Sequence, residues 1–242
     1  MLYFIYPDLF FTGSAINFDG NKKNVVTGSR SDTYSETGTN IDFSVSLPTP
    51  NSPDVLVYAK ANLITYRDVD PHVIITGADD NGFASNTVVE DKAFTRSELL
   101  GQYNEDLLHE FTLADKAFWR VRVTSSVSID HVISKLYLSR KMHLGKEPSA
   151  GSFITFDESN RSAKRPVRVI TLRYNGITKT NYLAFRQNVI KYKAVNPVFL
   201  YAKNYTHPLN GETLIHAKLQ KVTVTSKMVD KFNMDLTFRE LI

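Results

Sequence analysis

Ile41-Asp42-Phe43-Ser44-Val45-Ser46-Leu47 alternates apolar and polar side chains without a break, and Pro48 and Pro50 close it. A period of two is the signature of a strand with one face buried and one face wet. The same period returns at Phe118-Trp119-Arg120-Val121-Arg122-Val123, where Trp119, Val121 and Val123 share one face and the two arginines the other. Val127, Ile129, His131 and Ile133 follow in register, and Leu136 and Leu138 end the segment. Between these stretches lie the mostly apolar run Val55 to Ile64 and the short strand Val73 to Thr76, which opens after the turn-like Asp70-Pro71. Short strands separated by turn signals predict an antiparallel β-sandwich for the front of the chain. Leu99 to Phe111 reads as a short helix or a folded loop, with Gly101 weakening the helix.

From Met142 to Ser152 the residues Gly145, Pro148, Ala150 and Gly151 mark a linker. Beyond it Val167, Val169 and Thr171 alternate, Asn175-Gly176 is a hairpin signal, and Asn181 to Ala194 carries Tyr182, Phe185, Val189 and Tyr192 at helical spacing. Strands are expected at Val198 to Ala202, Ala217 to Thr225 and Met234 to Phe238. The predicted fold is therefore mainly β. A jelly-roll-like sandwich over residues 1–145 is followed by a small sheet unit with one packed helix over residues 146–242.

The 242 residues include no cysteine, which excludes disulfide scaffolds, thiolate metal sites and cysteine nucleophiles. No apolar run approaches the roughly 18 residues of a membrane-spanning helix. The opening Leu2 to Tyr6 run has no basic leader and stops at Pro7-Asp8, so it is not expected to be a secretory signal. Charge is uneven. Residues 1–145 hold 13 Lys/Arg against 18 Asp/Glu, and residues 146–242 hold 16 against 7, which together give the net +4. The basic residues of the back part are dispersed through strands, which favours charge-complementary assembly over nucleic-acid binding.

Signals for catalysis are weak. The six histidines form no zinc-binding pair, and there is no serine-hydrolase elbow, P-loop or dinucleotide fingerprint. Asp68, Asp70 and His72 would share one side of an extended chain, which makes them the candidate hard-metal site, with a solvated turn as the competing reading. Asp79-Asp80-Asn81-Gly82 has oxygen ligands but neither the spacing nor the terminal Glu of a calcium loop, and reads as a turn. No cofactor is called for, and the chain is expected not to be an enzyme. Trp119, the single tryptophan, is assigned to the core. Tyr58, Tyr66, Phe83 and Tyr103 lie nearer loops, where an aromatic ring stacks on the apolar face of a sugar.

The run from Phe118 to Val123, with Ile129, Ile133, Leu136-Tyr137-Leu138 and Leu144-Gly145, resembles the closing strands of jelly-roll modules in tailed-bacteriophage virion proteins. Arg168 to Tyr174, the helix, Pro197-Val198-Phe199-Leu200-Tyr201 and the closing Leu236-Thr237-Phe238-Arg239-Glu240 are similar to the ends of phage tail and baseplate proteins. The resemblance implies a structural protein that assembles in the host cytoplasm, resides in the virion and works through a homo-oligomeric ring and other tail proteins. It carries over no functional residue. A sandwich that binds host-surface glycans is the alternative.

Overall fold

Trp119, Val121 and Val123 belong to one strand of 24 residues, Lys116–Ser139, in the computed structural model of the chain. The structure describes residues 1–6, 9–12, 14–15, 34–60, 72–94, 106–157, 166–192, 197–203, 208–209 and 213–241. In chain order the elements are β1 (Leu2–Ile5), α1 (Leu9–Thr12), β2 (Ser14–Ala15), β3 (Tyr34–Asn51), β4 (Val55–Lys60), β5 (His72–Ala78), β6 (Val88–Ala93), β7 (Asp106–Glu110) and β8 (Lys116–Ser139). They continue with β9 (Lys141–Met142), β10 (Phe153–Asp157), β11 (Val167–Thr178), α2 (Lys179–Asn188), β12 (Val198–Ala202), β13 (Thr213–Met228) and β14 (Lys231–Glu240). The chain is mainly β, with antiparallel pairing throughout and one helix longer than a single turn among the described residues.

Two compact units emerge: Asp8–Arg140, and Met1–Pro7 together with Lys141–Ile242. This differs from a division at 145/146. The stretch Leu2–Ile5 pairs with β12 and β9, so it is an inner strand of the back sheet. The stretch read as a linker also belongs to the back unit, where Leu144 and Ser152 are buried.

The front unit is an antiparallel sandwich organised on β8. β3 runs along one edge of β8, while β5 and β4 share the other, with β6 and β7 outside them. The register of β4 against β8 shifts between Ala59 and Lys60, which pair with Lys135 and Ile133. One extra residue, Ser134, is thereby inserted, and the bulge flips the parity of the strand. Ile133 and then Leu136 and Leu138 consequently face the same core as Trp119, Val121 and Val123. Tyr58, expected near a loop, is core as well at 2% exposure. The described end of the ambiguous Leu99 to Phe111 stretch is strand, because Leu107 and Leu108 pair with Tyr58 and Val57. Its beginning, with Tyr103, lies outside the described residues.

At the open end of this core the Trp119 indole N–H donates to the carbonyls of Asn51 (3.1 Å) and Lys116 (3.0 Å). Trp119 lies opposite Gly77. A Cβ on Gly77 would come within 2.8 Å of the indole ring and 3.0 Å of the Lys116 side chain.

The back unit is a seven-stranded sheet of order β10-β11-β14-β13-β12-β1-β9. Phe185 of α2 and its C-cap residue Val189 are buried in its core, where the Phe4 and Phe185 rings meet edge-on at 5.0 Å. The helix begins earlier and ends sooner than its periodicity predicts. The Thr178 hydroxyl accepts from the Asn181 amide as N-cap, and a 3-10 turn at Ile190–Tyr192 follows. Asn175-Gly176 is not a hairpin turn. It sits inside β11 at a register shift, with Gly176 at φ 70 and its N–H bonded to the Asn233 side chain (3.0 Å).

Gly77→Ala tests the close approach. Overpacking against a fully buried indole is expected to cost about 1–3 kcal/mol. Because Trp119 is the single tryptophan, denaturant unfolding followed by its emission reads both the lost stability and the displaced ring; an unchanged midpoint and spectrum would contradict the packing described.

Candidate functional site

The loop between β5 and β6, residues 79–87, contains two non-glycine residues in the left-handed region, Phe83 (φ 55) and Asn86 (φ 49). For a bulky side chain that conformation is costly and persists only where the surroundings enforce it. Here they do. The Asp80 carboxylate accepts from the amides of Gly82 (2.8 Å), Ala84 (3.4 Å) and Ser85 (2.8 Å) and from the Ser85 hydroxyl. Hydrogen bonds from Ser85 above all, then those amides, hold the Asp80 carboxyl down at about 2. Asp79 is tied to Asn86 and to the Lys116 ammonium (3.1 and 3.2 Å), and these contacts lower its pKa. Both carboxylates are thus occupied in shaping the loop, as the turn reading of Asp79-Asp80-Asn81-Gly82 expects.

What the loop presents is Phe83. Its half-buried ring has the Arg120 guanidinium over it at 4.5 Å. Arg120 projects from β8 on the face opposite the core, between Ser44 of β3 and Thr76 of β5. Two residues on, Arg122 grips Asp42 with both arms of its fork (Nε–Oδ1 2.7 Å, Nη2–Oδ2 3.0 Å), which raises the pKa of Arg122. Arg120 has no such partner. Its Nε is shut off from solvent without an acceptor, and burial followed by repulsion from Arg122 lowers its pKa. An aromatic ring, a guanidinium with no ion pair of its own and the exposed side chains of Asn81, Ser85 and Asn86 therefore meet at one corner of the sandwich.

The other predicted site residues separate. His72 is exposed on β5 and contacts Asp91 (3.2 Å), while Asp68, Asp70 and Tyr66 lie outside the described residues. Among the described residues no three His, Asp or Glu side chains converge to hold a metal ion, and no helix is long and apolar enough to cross a membrane. Trp119 is fully buried, as its place in the alternation predicts. In the back unit an open groove of about 440 Å³ is lined by Leu183, Arg186, Gln187, Ile190 and Lys191. Sequence reasoning picked out Phe83 but missed Arg120. Alternation shows only that Arg120 and Arg122 share a face, and which of them meets Asp42 depends on the register of β3.

No protein-family model matches the chain, and no curated protein matches it in sequence. Among solved structures it is similar to the CBM32 of AlyQ in complex with 4,5-unsaturated mannuronic acid, at 18% identity and a TM-score of 0.40, over 57% of this chain and 98% of that one. It is also similar to a truncated AlyQ with CBM32 and alginate lyase domains (14% identity, TM-score 0.41, 74% of this chain and 50% of that one). A third similar structure is the arabinofuranosyltransferase AftD from Mycobacteria (10% identity, TM-score 0.33, 99% of this chain and 18% of that one). At these identities and scores no residue of this chain takes a role from them.

Asp80 ties the loop together, and its effect has a sign. A carboxyl held below its ordinary 3.8 stabilises the fold above that value, and the contribution is lost as pH falls through about 2. The amide resonances of Gly82 and Ser85 are expected to titrate near pH 2 and to stay flat between pH 4 and 7. Asp80→Asn should speed hydrogen exchange at Gly82, Ala84 and Ser85 while leaving β8 unchanged; a titration near 4 would mean that the hydrogen bonds do not hold the loop in solution.

Proposed function

We propose that the front sandwich is a non-catalytic saccharide-binding module whose contact surface is the Phe83–Arg120 corner. The observation that carries this reading is Phe83, a half-buried ring fixed at positive φ by a loop whose carboxylates are both taken up in holding it. A pyranose offers an apolar C–H face to such a ring and hydroxyls to polar neighbours. The neighbours here are of the matching kind: the Arg120 guanidinium and the exposed amide and hydroxyl side chains of Asn81, Ser85 and Asn86. A preformed loop also lowers the ordering cost of binding.

A second reading, a structural component of a phage tail or baseplate, draws on different features. The back part of the sequence is strongly basic and the front part acidic. The terminal strand of the back sheet, β10, exposes Phe153 and Phe156 at 42% and 62%. Edge strands with exposed apolar residues are templates for association.

Two measurements separate these readings. On a glycan array the full chain is expected to bind a restricted set of saccharides saturably, and Phe83→Ala should weaken that binding by about tenfold or more, the scale of a lost stacking contact. Binding that survives the substitution would move the site elsewhere. Light scattering coupled to size exclusion at low and moderate salt tests assembly: a ring-sized or salt-sensitive oligomer favours the structural reading, and a monomer at both salts with saturable glycan binding leaves the first alone.

A further inference from the structure

We infer that the saccharide taken at this corner is acidic, a uronate, and that Arg120 is the residue that selects it; this rests on the saccharide reading of the site. The argument is one of charge balance on a single sheet face. Arg120 and Arg122 project side by side from β8, and the carboxylate across from them, Asp42, is held by both arms of Arg122. The neighbouring carboxylates are also engaged: Asp79 with Lys116 and Asn86, and Asp80 with the loop amides. Among the described residues the Arg120 side chain forms no ion pair or hydrogen bond, and its guanidinium lies over the Phe83 ring.

A partly buried guanidinium that Arg122 repels more than Asp42 attracts is unfavourable in the free protein. The lowered pKa of Arg120 points the same way, and its leading cause is burial. Water relieves this only in part, because Nε is sealed from solvent. A ligand carboxylate at the terminal nitrogens supplies the negative charge that water does not. Stacking on Phe83 fixes the plane of the guanidinium, so little conformational freedom remains to be lost on binding. A neutral sugar would stack on the ring and leave the cation uncompensated. Discrimination between acidic and neutral sugars therefore belongs to Arg120, and attachment to Phe83.

Calorimetry with the full chain tests this directly, using a galacturonic acid hexasaccharide, its carboxyl-reduced counterpart and a sulfated galactan oligosaccharide as probes. The uronate is expected to bind about ten- to a hundredfold more tightly than its carboxyl-reduced form, the range of a charge-assisted hydrogen bond. Arg120→Gln should erase that difference, and Arg120→Lys should restore part of it. Equal affinity for the uronate and its reduced form overturns the inference and leaves saccharide binding standing. Preference for the sulfated probe over the uronate also overturns it as stated, because the selected group would then be a sulfate. Binding of none of the three, with no other saccharide bound on an array, removes both readings. The wild-type comparison stands even if an Arg120 variant fails to fold.

Discussion

The indole of Trp119 lies against Gly77 with no space for a side chain between them, and the loop end of the front sheet depends on that approach. Two indole hydrogen bonds pin the start of β8 and the end of β3 to the same ring. The register of β5 against β8 is fixed as a result, because a slip of one residue would put Thr76 or Ala78, each with a Cβ, opposite the indole in place of Gly77. With the register set, Lys116 falls beside Asp79, and Arg120, four residues further along β8, meets the ring of Phe83. A packing constraint inside the core thus decides which charges meet outside it.

This division of labour explains what the sequence makes legible. Strand alternation is local, so Ile41 to Leu47 and Trp119 to Val123 can be read directly, and the burial of Phe43, Val45, Trp119 and Val121 follows. The change of parity between Ile133 and Leu136 is visible too, and it coincides with the Ser134 bulge. Pairing is not local. Leu2 to Ile5 reads as an apolar run of the front part, yet its partners, Met142 and the strand from Phe199 to Ala202, are more than 130 residues away. Asn175-Gly176 has the chemistry of a hairpin turn. A bulge asks for the same positive φ, and only the partner strand distinguishes the two.

The site divides along the same line. Asp79-Asp80-Asn81-Gly82 is legible as a turn, and Phe83 as an aromatic beside it. That Arg122 is neutralised and Arg120 is not cannot be read from two arginines in an alternating strand, because it is settled by which of them lies across from Asp42. The acidic cluster that stands out in sequence, Asp68 with Asp70 and His72, draws attention because its members are close along the chain. The Phe83–Arg120 corner joins residues 37 positions apart. Uncompensated charge on a sheet face is a property of pairing, and it is there that the candidate chemistry lies.

The position of β1 has a consequence for how the molecule is made. This strand precedes the front unit in the chain, yet β9 follows only after that entire unit and β12 only near residue 200. At about 5–20 residues per second, its four apolar and aromatic residues wait roughly 10–40 seconds on the ribosome for β12, while the front unit has all its strands in hand. The order of folding is therefore imposed by topology: the inserted unit matures first, and the sheet that brackets it closes late around its own beginning. Until β9 and β12 are made, the apolar side chains of this strand have no sheet to enter, a liability the nascent chain carries while the front unit completes.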